Sequence, residues 1–146
     1  MTELKLLVTG GCGFIGSNFI RFMLKKYSDY QIVNLDKLTY AGNPANLKDI
    51  ENNPNYSFVK GDICDPVIVN EVMKKVDQVV HFAAESHVDR SIEDGSVFVM
   101  TNVLGTNTLL QSALANNIKK FIHVSTDEVY GSTMEGSFTE TDNLSP

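Results

Sequence analysis

At 146 residues the chain has the size of one domain, and its net charge of −6, with no basic cluster beyond Lys-Lys pairs, argues against nucleic acid or an anionic membrane as partner. Apolar residues make up 42% and mean hydropathy is −0.09, as in globular chains. No apolar run approaches the roughly 20 residues that span a bilayer, and the N-terminus lacks a secretory pattern. Cys12 and Cys64 show neither metal nor disulfide spacing, which fits a reducing cytoplasm.

Leu4-Lys5-Leu6-Leu7-Val8 is a short apolar run of the kind that forms a buried parallel strand. Thr9-Gly10-Gly11-Cys12-Gly13-Phe14-Ile15-Gly16 follows. Apolar residues then recur at near-helical spacing through Phe19, Ile20, Met23 and Leu24 up to Lys25-Lys26. The glycines therefore lie in a strand-to-helix turn, where Gly-x-Gly-x-x-Gly reads as a dinucleotide fingerprint rather than a merely glycine-rich turn. On this reading Gly11 and Gly13 let the backbone turn sharply and approach a pyrophosphate. Gly16 lets helix and strand pack closely, and the helix N–H groups face the phosphates. A second apolar run, Gln31–Leu35, closes at Asp36, twenty positions after Gly16. A carboxylate there can accept hydrogen bonds from the ribose hydroxyls and repel a 2′-phosphate, which favours NAD over NADP. Lys37 argues the other way, and the plain alternative for Asp36 is an Asp that starts a turn.

After a polar loop, a helical candidate runs from Pro44 to Ile50, and Tyr56–Lys60 alternates as a strand ending at Gly61-Asp62-Ile63. Asp65 as N-cap and Pro66 as first residue open a helix through Lys75. Val79–Phe82 reads as a fourth strand, a long helix follows from about Gly95 to Asn116, and Lys120–Val124 is a fifth strand. This alternation predicts an α/β fold: a Rossmann-like, doubly wound parallel sheet with helices on both faces and ligands beyond the carboxyl ends of the strands.

That rule draws several polar groups together. Asp62 could accept from an adenine amino group with Ile63 over the ring, or be an ordinary turn Asp. Ala83 and Ala84 are small, as either a cofactor or tight packing would require. In the polar run Glu85–Ser91, Arg90 could pair with a phosphate, or with Asp89 or Glu93. Thr101 and Asn102 interrupt an apolar helix and either bond to backbone or face the cofactor, the second being preferred. Ser125-Thr126-Asp127-Glu128 sets two carboxyls behind two hydroxyls at a strand end. If the chain curls there, their repulsion would keep one protonated and give an acid and a base in one site; the alternative is a capped helix start.

These residues resemble the extended short-chain dehydrogenase/reductase family and, within it, the dTDP-glucose 4,6-dehydratases. The resemblance rests on Thr9–Gly16, Asp36–Asn43, Ala83–Ser91 and Ser125–Gly131 and covers essentially the whole chain. It implies NAD contacts from the turn (Gly10, Gly13, Phe14, Ile15, Gly16), from Asp36, Lys37, Leu38 and Thr39, from Asp62 and Ile63, from Phe82, Ala83, Ala84, Glu85 and Ser86, and from Thr101. Ser86 and Thr126 would touch the sugar of a dTDP-glucose substrate, with Asp127 as acid and Glu128 as base and no metal involved. The implied reaction passes hydride from C4 of the glucose to NAD, loses water across C5 and C6, and returns the hydride to C6. The family often dimerises through helices flanking the sheet, which makes the long helix after Gly95 the candidate interface of a homodimer.

One departure stands out. The family's Tyr-x-x-x-Lys pair, base for the C4 hydroxyl, is matched here only by Tyr56 and Lys60, in a predicted strand where residues four apart do not meet. That match is expected to be a decoy. By resemblance the chain stops a few residues before the true pair, so residues 1–146 are expected to be the NAD-binding domain without the sugar-nucleotide domain. As a 146-residue polypeptide it is expected to turn over no sugar nucleotide and to hold the cofactor weakly, which an assay for 4-keto sugar checks. The alternatives are a UDP-glucose 4,6-dehydratase or 4-epimerase, and a non-catalytic NAD-binding module.

Overall fold

The computed structural model describes residues 4–87, 92 and 94–146. Its centre is β1 (Leu4–Thr9), a strand with apolar side chains on both faces. Four parallel strands flank it: β2 (Tyr30–Asp36), β3 (Tyr56–Lys60), β4 (Gln78–His81) and β5 (Lys120–His123), in the order β3-β2-β1-β4-β5. The register pairs Thr9 with both Leu35 and His81, Asp36 with Lys60, and His81 with His123. The carboxyl ends of all five strands therefore align along one rim. The predicted strands agree with these to within a residue or two, the usual uncertainty of element ends.

Strand periodicity of two sends alternate residues of β1 into two cores. Leu6 and Val8 pack with Ile32, Val80, Ile20 of α1 (Phe14–Lys26) and Leu47 of the 3-10 turn Pro44–Ile50. Leu7 packs on the other face with Leu35 and Val79, against Val69, Val72 and Met73 of α2 (Pro66–Met73). Leu109 and Ala113 of α4 (Thr106–Ala115), four apart on one helix face, complete that layer. Full burial of each Leu, Ile, Val or Met is worth about 1.5–3 kcal/mol, so both layers stabilise the sheet. The sequence reading of a parallel sheet with helices on both faces holds.

Two local features differ from or sharpen the sequence reading. The helix expected over 95–116 is helical throughout but not uniform: α3 (Gly95–Phe98) passes into a π-helical stretch, Val99–Gly105, before α4. Long-range contacts hold that wider turn. The Cys64 thiol donates to the Met100 carbonyl at 3.2 Å. Gly105 lies so close to Ile63 that a Cβ there would come within 2.6 Å of its side chain. The Tyr56/Lys60 spacing falls on β3, as expected, and the half-buried Tyr56 hydroxyl accepts from Asn34 Nδ2 at 3.0 Å.

Candidate functional site

At the rim, β1 runs into the glycine turn. Gly10 takes φ +70, and a Cβ on it would lie 2.7 Å from the backbone of Ala83; on Gly16 it would lie 2.4 Å from the Gly10 carbonyl oxygen. These two glycines let the turn, β4 and α1 nest together. Gly11 departs from its expected part in the turn. It is buried, and a Cβ on it would fall 2.2 Å from Asn34 Oδ1, so it serves core packing and not approach to a ligand. Gly13 is the least crowded glycine of the turn, its Cβ meeting only the Gly10 oxygen, at 3.3 Å.

Gly13 is also the N-cap of α1, which has no side-chain cap and no acid in its first turn. By contrast Asn43, Asp65, Asp94 and Thr126 each cap their own helix start through a side-chain oxygen. The α1 terminus thus keeps free N–H groups and the positive end of a 13-residue helix dipole for an anion.

That terminus opens on a cavity of about 410 Å³. Gly10, Gly13, Phe14, Ile15 and Gly16 form one wall; Asp36, Lys37 and Thr39 form the next. Asp62 and Ile63 follow at the end of β3, and Phe82, Ala83, Ala84, Glu85 and Ser86 at the end of β4. Thr101 reaches in from the π-helical stretch. Leu38 is the exception among the residues expected from sequence to contact NAD: it does not line the cavity. Its backbone takes φ 60, its N–H donates to Asp36 Oδ1 at 2.8 Å, and its side chain packs against the α1-side core.

Asp36 is 8% exposed, and its other oxygen accepts the Cys12 N–H at 2.8 Å. It therefore does start a turn and brace the glycine turn, while a carboxylate's roughly four acceptor positions leave two for a ligand. Sequence reasoning missed Leu35, Ala41, Gly42, Gly61 and Val124 in the lining. For Gly42 there was a signal, a glycine just beyond Asp36 in a non-helical loop. A Cβ there would stand 2.8 Å from Asp36 Oδ1.

Charge in the cavity is organised around one ion pair. Lys37 Nζ sits 2.6 Å from Asp62 Oδ2, and the Cys64 N–H donates to Asp62 Oδ1 at 2.9 Å. Burial alone would raise the Asp62 pKa, but these hydrogen bonds outweigh it and hold the carboxyl below its ordinary value. Burial, aided by the Asp36 charge, pushes the Cys12 thiol up to about 11, so it stays protonated and unreactive beneath the turn.

Thr101 and Asn102 divide the two roles considered for them. Thr101 lines the cavity, while Asn102 clasps the Glu85 backbone, accepting from its N–H and donating to its carbonyl, both at 2.8 Å. Arg90, Asp89 and Glu93, with Val88 and Ser91, lie outside the described residues.

Beyond β5, Val124 and Ser125 still line the cavity; Thr126, Asp127 and Glu128 do not. The chain curls here into a 3-10 turn, Asp127–Tyr130, which is the condition for both carboxyls to serve one substrate. It is also a capped start: Thr126 Oγ1 accepts the Glu128 N–H at 3.2 Å and donates to Asp127 Oδ1 at 3.2 Å. All three side chains are exposed.

The family model for GDP-mannose 4,6 dehydratase matches residues 7–146. Low-salt glycan biosynthesis protein Agl12 of Haloferax volcanii is 53% identical over 143 residues, which are 98% of this chain and 46% of that protein. The dTDP-glucose 4,6-dehydratase of Streptomyces griseus is 54% identical over 97% of this chain and 43% of its own length. DesIV, a dTDP-glucose 4,6-dehydratase from Streptomyces venezuelae solved with NAD bound, matches in structure with a TM-score of 0.93 at 53% identity, over 98% of this chain and 46% of that one. The chain thus spans less than half the length of these relatives. The family match begins inside β1 and takes in the glycine turn, the cavity and the Thr126–Glu128 turn, and on that ground the chain belongs to the GDP-mannose 4,6 dehydratase family.

Proposed function

We propose that residues 1–146 are the NAD-binding domain of a nucleotide-sugar 4,6-dehydratase acting on dTDP-glucose. One observation carries this reading: a single cavity joins the uncapped α1 N-terminus to the Asp36 carboxylate and ends at Ser125, one residue before Thr126-Asp127-Glu128. The relatives named dTDP-glucose 4,6-dehydratase, and the NAD in DesIV, support it.

The residues present fit NAD. The bare backbone of Gly13 in the cavity wall and the free N–H groups of α1 suit a pyrophosphate, and the two unused acceptor positions of Asp36 suit ribose hydroxyls. Phe14 and Ile15, 82% and 62% exposed, offer apolar surface at the mouth. When bound, NAD supplies the hydride acceptor for C4 of the sugar and the hydride donor for C6. Glu128 then removes the C5 proton, and Asp127 protonates the departing C6 hydroxyl. Ser86 and Thr126 bind the sugar, and the Thr126 hydroxyl orients Asp127 through the hydrogen bond it already donates.

The complete enzyme is proposed to act as a homodimer in the cytoplasm. Val103, Leu110 and Leu114, exposed along the long helix, supply apolar surface for a helical interface, and the unpaired Cys12 and Cys64 suit a reducing compartment. Among the described residues no helix is long and apolar enough to cross a membrane.

Incubated with dTDP-glucose in deuterated water, the complete protein is expected to give a product with a C6 methyl group and deuterium at C5. A product changed only at C4 would replace the dehydratase reading with an epimerase. Calorimetric titration is expected to show NAD preferred over NADP by at least about tenfold, the scale of one charge-assisted hydrogen bond plus repulsion of a 2′-phosphate. Equal affinities would remove Asp36 from the ribose.

A further inference from the structure

Among the described residues lining the cavity, Lys37 is the one cation, and the same lining carries three carboxylates, Asp36, Asp62 and Glu85. It adjoins Asp36, at the place where the 2′-phosphate of NADP would arrive if the NAD reading above is right. A free ammonium there would attract that phosphate, which brings about two negative charges. Lys37 is not free. The pairing of β2 with β3 brings Asp62 to the neighbouring strand end, and Lys37 Nζ lies 2.6 Å from its Oδ2. The Cys64 N–H holds the other oxygen and so turns Oδ2 towards the lysine.

We propose that Asp62 is a specificity-determining residue: by engaging Lys37 it withdraws the cavity's cation from a 2′-phosphate and adds to the repulsion that Asp36 already exerts. The pair is partly exposed, with side chains 58% and 30% accessible, so its worth to folding is small and its effect is on ligand charge. Asp62 acts here through Lys37 on the choice of nucleotide. Any contact of its own with adenine would affect NAD and NADP alike.

The test uses the complete protein and compares calorimetric dissociation constants for NAD and NADP in the wild type, Asp62→Asn, and Asp62→Asn combined with Lys37→Met. Asparagine keeps an oxygen for the Cys64 N–H, so the loop retains its brace. The ratio of the NADP constant to the NAD constant is expected to fall about tenfold in Asp62→Asn, to return to near the wild-type value in the double variant, and to change less at high salt. If Asp62→Asn weakens both nucleotides together and leaves the ratio unmoved, Asp62 is only a brace or an adenine contact and the proposal is overturned, with the NAD reading intact. A wild type that binds neither nucleotide overturns the NAD reading and the proposal with it.

Discussion

Glu128→Gln in the complete protein is expected to lower dehydration of dTDP-glucose by about two to four powers of ten, the range for loss of a positioned acid or base. The substitution removes basicity and little else. Thr126 caps the turn through the Glu128 backbone N–H, which glutamine retains, and the side chain is exposed. Stability should therefore stay within about 0.5 kcal/mol of wild type. Hydride can still leave C4, so the absorbance of reduced nicotinamide should build up on the protein while solvent deuterium fails to enter C5.

Asp127→Asn should behave differently. Its Oδ1 can still accept from the Thr126 hydroxyl and the base remains, so exchange at C5 persists while loss of the C6 hydroxyl slows to a similar degree. Variants with identical signatures, or with wild-type rates, would take the acid and base roles away from this pair.

Folding stability is expected to fall by about 3 kcal/mol as pH drops from 6.5 to 4, through one residue outside the proposed chemistry. His81 is fully buried on β4. Its Nδ1 lies 2.6 Å from Thr9 Oγ1, its Nε2 lies 3.0 Å from Thr106 Oγ1, and the His123 ring is centred 5.0 Å away. Burial first, and the His123 charge second, bring its pKa down from 6.5 to about 4.

The sign follows from proton counting. Between those values the unfolded chain binds a proton that the folded chain refuses, so the contribution is complete above pH 6.5 and is lost as pH falls through 4. Each pH unit in that window is worth up to about 1.4 kcal/mol. Urea unfolding across the window should show this slope in the wild type and lose most of it in His81→Gln. An unchanged slope in the variant would assign the acid sensitivity to other groups.

The amino-acid sequence by itself determined the strands, α1, α2 and the class of the sheet, because the forces involved are local. Periodicity of two or of 3.6 shows in a window of ten residues, and Asp65-Pro66 carries its own start signal. The same holds for the strand–glycine–helix order and for Asp36 twenty positions on, since each lies at a chain reversal that its own residues specify. Only the tertiary structure decided which glycine does what: Gly10 yields to Ala83 and Gly11 to Asn34, partners 73 and 23 positions away. It decided that Leu38 turns into the core, that Lys37 is spent on Asp62, and that the long helix widens at Val99–Gly105. No local pattern marks the parts of Gly10, Gly11, Lys37 and the widened helix, because the group that sets each is distant in the chain, and its energy exists only once the fold has brought the two together.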